Sequence, residues 1–452
     1  MRVSRAQPPP SRRDAGLPPR KGRSRRIAGF AFGVALAIAG CTPSAPTTPP
    51  GTSPAPPRPG ATTGAGPGQS ALKPIDPAAF RATVATAAKE LMVPGAAVLL
   101  RTPQGTFTAA VGTTELGTST PPAADTHFRI ASNTKTMTSA LIVLLAQDGK
   151  LRFGDPVSRY VSGVPGGDTI TIAQLLKMRS GLYDYTEAPE LAAALDADPG
   201  KVFTPQDVLA MAFRRPPPFP PGTAYQYNNT NYALLGLVAE KVDGRPLAQQ
   251  MQERLWGPLG LRQTSLPTAT DTSMPQRYSH GYCYGGSADA FVDLPYPPDL
   301  QAAARAGTLQ PTDYTHQNPS YATAAGGAIS TSDDMATWIR ALTSGKVFNA
   351  EFQRQWLDSL QPEDPNAPDG QKYGYGISYQ RFAPNAAMWY HGGELLGFNS
   401  FIGYDPAGDV TLTIWAGLTL APDGRATAVA LLPTVLSEIY AGLWLPPAPT
   451  PT

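Results

Sequence analysis

The feature that most constrains this chain is a polar turn followed by a long apolar helix. Residues 128–145 read FRIASNTKTMTSALIVLL, and their large apolar side chains recur at a spacing that predicts an amphipathic helix starting at Ser132. Ser132 therefore lies where backbone N–H groups and the positive end of the helix dipole gather. Lys135 follows one turn later on the same face, with Cβ atoms about 5–6 Å apart. A hydroxyl beside an amine at a donor-rich helix end is suited to nucleophilic catalysis.

The Ser-x-x-Lys spacing is weak evidence when taken alone. Ser70 and Lys73 have the same spacing, in a stretch with no predicted helix. On these four residues, Ser132 could equally be a helix N-cap and Lys135 a solvated lysine. The assignment of catalysis therefore depends on the rest of the chain.

Basic residues are concentrated at the start of the chain. Residues 1–40 contain nine Arg or Lys and one Asp, which leaves 27 basic and 33 acidic residues in the remainder. A mildly acidic body without basic runs argues against a nucleic-acid partner. The chain has four His and no His-Glu-x-x-His motif, so neither a metal site nor a cofactor is expected.

Residues 1–40 have the features of a lipoprotein signal peptide. A basic segment, 20–26, precedes an apolar segment, 27–39, that is too short to cross a bilayer. The following Ile38-Ala39-Gly40-Cys41 resembles a bacterial lipobox, which implies cleavage before Cys41 and acylation of its thiol. We therefore expect an exported protein, held by lipid on the outer face of the cytoplasmic membrane within the cell wall. An ordinary signal peptide with an incidental cysteine is the alternative.

Four segments follow from composition. After the signal peptide, residues 41–75 comprise the lipidated cysteine and a tether rich in Pro, Thr and Gly, which has too few apolar side chains to form a core. Residues 76–445 form the domain, and the Pro-rich residues 446–452 form a loose tail. The second cysteine, Cys283, has no partner at a metal-ligand or protease spacing and is expected to be structural.

The order of predicted elements favours an α/β domain. Strands are predicted early (96–100 and 106–112) and late (373–379, 388–391, 399–404 and 410–416). Helices dominate between them, so one sheet completed by both ends of the domain, with an inserted helical lobe, is expected. Residues 262–325 are turn-rich and are expected to be loops over one face. Four aromatic residues there are available to line a mouth: Tyr282, Tyr284, Phe291 and Tyr296.

Two further motifs carry candidate site residues. Tyr227 and Asn229 are two residues apart before a predicted helix, so their side chains face the same way in extended backbone. Separately, His391-Gly392-Gly393-Glu394 ends a predicted strand, where the two glycines allow a ligand backbone to approach closely. Each motif alone is also explained by packing, by an N-cap or by a structural histidine.

Together, the three motifs resemble those of the penicillin-recognising serine hydrolases. This family includes class C β-lactamases, serine D-Ala-D-Ala carboxypeptidases and related esterases. The resemblance covers roughly residues 80–440, and residues 180–186, SGLYDYT, are most similar to the carboxypeptidases. It implies a β-lactamase/transpeptidase-like fold, with an antiparallel sheet flanked by helices.

The resemblance also implies roles for individual residues. Ser132 would be the acylated nucleophile, with Lys135 and Tyr227 handling the proton, and which of the two is the base remains open. His391 would complete the catalytic set, in a place where many relatives have lysine. Asn229 would orient the substrate amide, and the backbone N–H groups of Ser132 and Glu394 would form an oxyanion hole. Gly392, Gly393 and Glu394 would line the substrate site.

Three departures from the family pattern affect the choice of substrate. Gly392 replaces a hydroxyl residue that often binds a substrate carboxylate, and Glu394 adds a negative charge beside that place. Arg381 could compensate for this charge, and Met178 stands where many relatives have a histidine. We expect a D-Ala-D-Ala carboxypeptidase acting on cell-wall precursors, as a monomer, with ester or β-lactam hydrolysis as alternatives. A binder of penicillin or muropeptides without turnover is the non-enzymatic alternative.

Overall fold

The computed structural model of the chain describes residues 72–291 and 296–444. The predicted signal peptide, Cys41, most of the tether and the tail lie outside the described residues. Residues 72–75, which the sequence assigns to the tether, contact the domain instead. The Lys73 N–H donates to Ile439 O at 2.9 Å, and Lys73 Nζ donates to Ser437 O at 2.6 Å. The packed part of the chain therefore includes these residues.

The described residues form twelve strands. In chain order these are β1 (Gly95–Thr102), β2 (Gly105–Gly112), β3 (Phe128–Arg129), β4 (Tyr282–Cys283), β5 (Thr312–Asp313), β6 (Ile329–Ser330), β7 (Gln361–Pro362), β8 (Lys372–Tyr373), β9 (Ser378–Ala383), β10 (Ala386–Leu395), β11 (Phe398–Asp405) and β12 (Val410–Ala416). Eight of them form one antiparallel sheet in the order β2-β1-β12-β11-β10-β9-β8-β7. Because β1 pairs with β12, the prediction of one sheet completed by both ends of the domain is confirmed.

Fourteen α-helices surround this sheet in the described part of the chain. They are α1 (Pro77–Glu90), α2 (Thr134–Gln147), α3 (Ile172–Leu176), α4 (Pro189–Ala197), α5 (Pro205–Phe213), α6 (Asn229–Asp243), α7 (Leu247–Met251), α8 (Gly257–Leu259), α9 (Ser287–Ala290), α10 (Pro298–Arg305), α11 (Thr323–Gly326), α12 (Ser332–Thr343), α13 (Ala350–Leu357) and α14 (Thr427–Ile439). Most of those between β2 and β7 form the predicted helical lobe.

Helices cover both faces of the sheet. Ile414 and Trp415 of β12 point to opposite faces, as neighbours in a strand do. Ile414 packs in the core that includes α1 and α14, whereas Trp415 packs in the core that includes α2 and α12. Every residue of β11 and β12 is therefore buried, including the polar Asn399, Ser400 and Asp405 of β11.

Three details of the predicted elements are wrong. The strand predicted over 373–379 is interrupted, because a turn at Gly376, with φ of +71°, separates β8 from β9. Helices α4, α10 and α13 were not predicted. The turn-rich residues 262–325 are not only loops, since they include β4, β5 and α9 to α11.

Helix α2 is buried on all sides rather than amphipathic. Every residue from Thr134 to Ala146 is buried. Its polar side chains are tolerated because each hydroxyl donates to a carbonyl oxygen, as Thr138 does to Ala324 O at 2.8 Å and Ser139 to Tyr375 O at 2.7 Å. The helix therefore lies inside the domain, where it packs against α6 and α11.

Strand β10 approaches the turn before α2 very closely at Gly393. A Cβ atom at this position would lie 2.3 Å from Ile130 O and 2.4 Å from Ser400 Oγ. Ile130 precedes the turn that holds Ser132, so the glycine allows β10 to pack directly against the turn of the predicted nucleophile. Close packing within the protein therefore requires a glycine at position 393.

We expect Gly393→Ala to lower the free energy of unfolding by about 1–3 kcal/mol, because backbone and Ser400 would have to move. Gly154→Ala is the control, since a Cβ there meets nothing within 4 Å. Urea denaturation of both variants measures the difference. Equal stability of the two variants would contradict the close approach.

Candidate active site

Ser132 lies in a tight turn between β3 and α2. Residues Ala131–Asn133 form one turn of 3₁₀ helix directly before α2. Ala131 has φ of +51°, a conformation that side chains other than glycine rarely adopt. Asn133 ties the turn to its surroundings by donating to Ile130 O at 3.0 Å and to Ser400 Oγ at 2.8 Å. The predicted nucleophile is thus held by a strained and well-supported backbone.

Lys135 is fully buried beside Ser132. Its Nζ lies 2.9 Å from Ser132 Oγ, 2.7 Å from Asn229 Oδ1 and 2.7 Å from Ala325 O. It also lies 4.9 Å from the centre of the Tyr227 ring. Burial lowers the pKa of Lys135 from its usual value to about 7, although the negative charge of Asp184 opposes this. A large fraction of Lys135 is therefore a neutral amine near neutral pH.

The three partners of Lys135 determine what its neutral form does. A carbonyl oxygen and an amide Oδ1 can only accept hydrogen bonds. A neutral amine has two N–H groups, which Ala325 O and Asn229 Oδ1 occupy. The remaining lone pair is then directed at Ser132 Oγ, from which it can take the proton. This arrangement favours Lys135 as the general base, a choice that the sequence left open.

Tyr227 is the second group on Ser132. Its hydroxyl forms a hydrogen bond with the side chain of Ser132, and burial raises the pKa of Tyr227 well above its usual range. The phenol therefore keeps its proton at neutral pH. It is suited to donating a proton to a leaving group rather than to acting as the base.

Asn229 and Asp184 form a network behind Lys135. The Asn229 Nδ2 donates to Asp184 Oδ2 at 3.0 Å and to Thr186 Oγ1 at 3.2 Å, and the Asn229 N–H also donates to Asp184 Oδ2 at 3.1 Å. The amide predicted to orient substrate is thus engaged on both sides by the protein. Burial raises the pKa of Asp184. Asp184 lies in the quoted segment 180–186, but no role was predicted for it.

His391 lies behind the wall of the pocket. Its side chain is buried, with Nδ1 2.6 Å from Gly392 O and Nε2 3.0 Å from the Tyr373 hydroxyl. Because a carbonyl only accepts, Nδ1 carries the proton and Nε2 accepts from Tyr373. Burial lowers the pKa of His391 to about 3, so the ring is neutral. Its ring centre is 6.1 Å from that of Tyr227, and its catalytic role stays a prediction.

Near its end, β10 has one edge that pairs with no other strand of the described residues. The pairing of β10 with β9 ends at Tyr390, whereas β10 itself continues to Leu395 on β11. Gly392 and Glu394 line the pocket along this segment. The position agrees with the predicted use of the Glu394 N–H in an oxyanion hole, which stays a prediction. Glu394 also accepts a hydrogen bond from Asn399 Nδ2 at 3.1 Å.

These elements enclose one pocket of about 280 Å³. Its wall contains no Lys or Arg among the described residues, and Arg381 lies on β9 away from it. Of the four aromatic residues predicted at a mouth, only Phe291 lines the pocket, because the other three are buried in a separate small core. The lining residues are Ser132, Asp184, Tyr185, Thr186, Tyr227, Asn229, Phe291, Tyr321, Ala322, Ala325, Gly326, Gly392, Glu394, Leu395, Gly424, Ala426 and Val429.

The described residues contain neither a metal-binding cluster nor a helix that could cross a membrane. No cluster of three or more His, Cys, Asp or Glu side chains in 72–291 and 296–444 is arranged to hold a metal ion. No helix within these ranges has the length and apolar character needed to cross a membrane. Cys283 is buried, which agrees with its expected structural role, and burial raises the pKa of its thiol to about 12.

Comparison with known proteins identifies the family. The family model described as Beta-lactamase matches residues 80–433. The chain belongs to the Beta-lactamase family. A crystal structure of a D-stereospecific amidohydrolase from Streptomyces sp. is 27% identical and covers 80% of this chain and 98% of that one, with a TM-score of 0.67. The predicted fold is thereby confirmed, and the chain is a serine hydrolase of this family.

Curated relatives match smaller parts of the chain. An unguisins hydrolase of Aspergillus violaceofuscus is 28% identical over 281 residues, which are 58% of this chain and 44% of the relative. A putative D-alanyl-D-alanine carboxypeptidase of Escherichia coli O157:H7 is 26% identical over 257 residues, 52% of this chain and 56% of the relative. The chain thus spans about half the length of these relatives.

We expect the rate at which Ser132 attacks an electrophile to rise as the pH passes through about 7, because the geometry favours the neutral form of Lys135 as the base. Labelling by a fluorophosphonate probe, followed by intact mass, measures this rate. Lys135→Gln should lower it about 100-fold or more and remove the pH dependence, and Ser132→Ala should abolish labelling. Tyr227→Phe should keep the pH dependence; its loss in that variant would identify Tyr227 as the base.

Proposed function

We propose that this protein hydrolyses amide bonds of D-amino-acid substrates through an acyl-enzyme on Ser132. The observation that carries the proposal is the environment of Lys135, whose Nζ lies 2.9 Å from Ser132 Oγ and 2.7 Å from each of two carbonyl-type acceptors. The selection of D-amino-acid substrates is supported by relatives and neighbours, which include a D-stereospecific amidohydrolase and a putative D-alanyl-D-alanine carboxypeptidase.

The steps of acylation can be assigned to these residues. Ser132 Oγ transfers its proton to Lys135 Nζ and forms a bond to the substrate carbonyl carbon. The resulting oxyanion is held by the N–H groups of Ser132 and Glu394. The carbon–nitrogen bond then breaks, and the leaving nitrogen takes a proton from the Tyr227 hydroxyl, which regains one from the Lys135 ammonium. A water molecule then attacks the acyl carbon while Lys135 Nζ takes its proton. The bond to Ser132 Oγ breaks, Ser132 regains a proton from the Lys135 ammonium, and the acid leaves.

Glu394 narrows the class of substrate. It lines the pocket together with Gly424, Ala426 and Val429, near the start of α14. Its carboxylate accepts from Asn399, whose Oδ1 in turn accepts from the Ala428 N–H at 2.9 Å, so its position is fixed. The described residues place no basic side chain on the wall, so a substrate carboxylate about 5 Å from Glu394 would be repelled by about 1–3 kcal/mol. We therefore favour leaving groups that carry no carboxylate.

The D-Ala-D-Ala carboxypeptidase predicted from the sequence is the second candidate. The curated relative with this name and the segment 180–186 favour it. A carboxypeptidase requires a substrate with a terminal carboxylate. Penicillins also carry a carboxylate, so β-lactam hydrolysis has the same requirement. Ester hydrolysis needs no such group and is compatible with Glu394.

A pair of peptides that differ only at the C-terminus distinguishes the two candidates. We expect the peptide ending in D-Ala-D-Ala carboxamide to have a kcat/KM about tenfold or more above that of the free acid, because Glu394 repels the carboxylate. Glu394→Gln should narrow this ratio, and Ser132→Ala should release nothing from either peptide. Release of D-Ala with the free acid preferred would assign a carboxypeptidase.

We also propose that the protein is exported and anchored through lipid on Cys41, and that it acts as a monomer. In the full chain, Cys41→Ser should move the protein from the membrane fraction to the soluble fraction, because one acylated residue provides the anchor. Mass spectrometry of the N-terminal peptide identifies the lipid. An unmodified Cys41 thiol in a membrane-bound protein would contradict the proposal.

A further inference from the structure

Asp184 is a buried carboxylate that no Arg or Lys side chain pairs with directly in the described residues. It lies just before a single 3₁₀ turn, Tyr185–Glu187, and only 3% of it is exposed. Its Oδ1 accepts from the Thr186 N–H at 3.1 Å, and its Oδ2 accepts from both the N–H and the Nδ2 of Asn229. The Asn229 side chain bridges this carboxylate and Lys135 Nζ.

The carboxylate determines which way the Asn229 amide faces. An ionised carboxylate only accepts hydrogen bonds, so the amide must present Nδ2 to Asp184. Its Oδ1 is then turned to Lys135 Nζ at 2.7 Å. The reversed amide would place N–H groups against Lys135. The neutral amine would then use its lone pair to accept from Asn229, and that lone pair would be lost to Ser132.

We propose that Asp184 is a positioning residue for acylation, which fixes the Asn229 amide so that the lone pair of Lys135 stays directed at Ser132. The inference rests on the proposed acyl-enzyme function. It assigns to Asn229 a role in orienting the base in place of the predicted role in orienting substrate. It also explains why a charged side chain is retained in a buried position beside the reacting groups.

The charges around Lys135 and Asp184 determine the pH dependence of the pair. Lys135 is faced by Asp184, by the ring of Tyr227 just before α6, by the ring of Tyr232 in α6, and by His391 from β10. His391 and both tyrosines are neutral at pH 7, because burial lowers the pKa of the histidine and raises that of each tyrosine.

Asp184 is itself faced by the tyrosines on either side of it, Tyr183 and Tyr185, and by Tyr227. Burial raises the pKa of all three phenols, so they too are neutral. Glu187 and Glu394 add more distant negative charge, toward Tyr183 and Tyr227 respectively. Asp184 is therefore the charged group that acts most directly on Lys135, and it favours the ammonium form.

A double-mutant cycle tests whether Asp184 acts through Asn229. Asp184→Ala and Asp184→Asn are made in the full chain and also in an Asn229→Ala background. The fluorophosphonate labelling rate of Ser132 is measured against pH by intact mass. We expect Asp184→Ala to slow labelling about tenfold or more in the wild-type background, and less than about threefold in the Asn229→Ala background.

Asp184→Asn separates the orientation of the amide from the charge. The new amide oxygen can still accept from Asn229 Nδ2, so labelling should stay within about tenfold of wild type. The lost charge should move the rise in rate to lower pH, because Asp184 raises the pKa of Lys135. Asp243→Asn is the matched control: this side chain lies at the far end of α6, paired with Lys150 and Arg245, and its loss should not move the pH profile.

Two results would overturn the inference. Equal effects of Asp184→Ala in both backgrounds would show that it does not act through Asn229. An unchanged pH profile in Asp184→Asn would show that the charge of Asp184 does not act on Lys135. If Asp184→Ala does not fold, the pH profile of Asp184→Asn provides the test. Wild-type protein that the probe does not label would instead contradict the proposed acyl-enzyme.

Discussion

The burial of Lys135 is the interaction on which the rest of the structure depends. Its Nζ takes its partners from three separate elements: Ser132 in the turn before α2, Asn229 at the start of α6 and Ala325 in α11. An amine buried without these acceptors would cost several kcal/mol. These elements must therefore pack together correctly before the lysine is satisfied, so formation of the site and packing of the helical lobe are coupled.

Strained backbone surrounds this lysine. Ala131, Met178 and Thr323 have φ of +51°, +60° and +41° without being glycine. Ala131 precedes the nucleophile, and Thr323 begins the helix whose Ala325 O binds Lys135. The Met178 carbonyl accepts from the Gln226 N–H at 3.1 Å and so positions the segment that carries Tyr227. Each strained residue places one partner of the reacting group, and the surrounding core maintains the strain.

The sequence predicts the main parts of this structure because local patterns specify them. Thr204 and Pro205 mark a helix start that the structure has, with a capping box completed by Asp207. The three motifs converge on one pocket, which a resemblance covering most of the domain made predictable. By contrast, α2 was predicted to be amphipathic because the carbonyl partners of Thr138 and Ser139, at Ala324 and Tyr375, lie far away in sequence. Asp184 was missed for the same reason, since its contact with Asn229 joins residues 45 apart.

Electrostatics connects the geometry of the site to its choice of substrate. Among the described residues, the pocket wall has two carboxylates, Asp184 and Glu394. The amine of Lys135 lies beside this wall, and it must be neutral to act as a base. The neutral His391 adds no positive charge at a position where a lysine would. A site that needs Lys135 uncharged therefore cannot also use it to attract an anion. A neutral base and a binding site for a carboxylate are therefore conflicting requirements, and the side chains of this pocket satisfy the requirement for a neutral base.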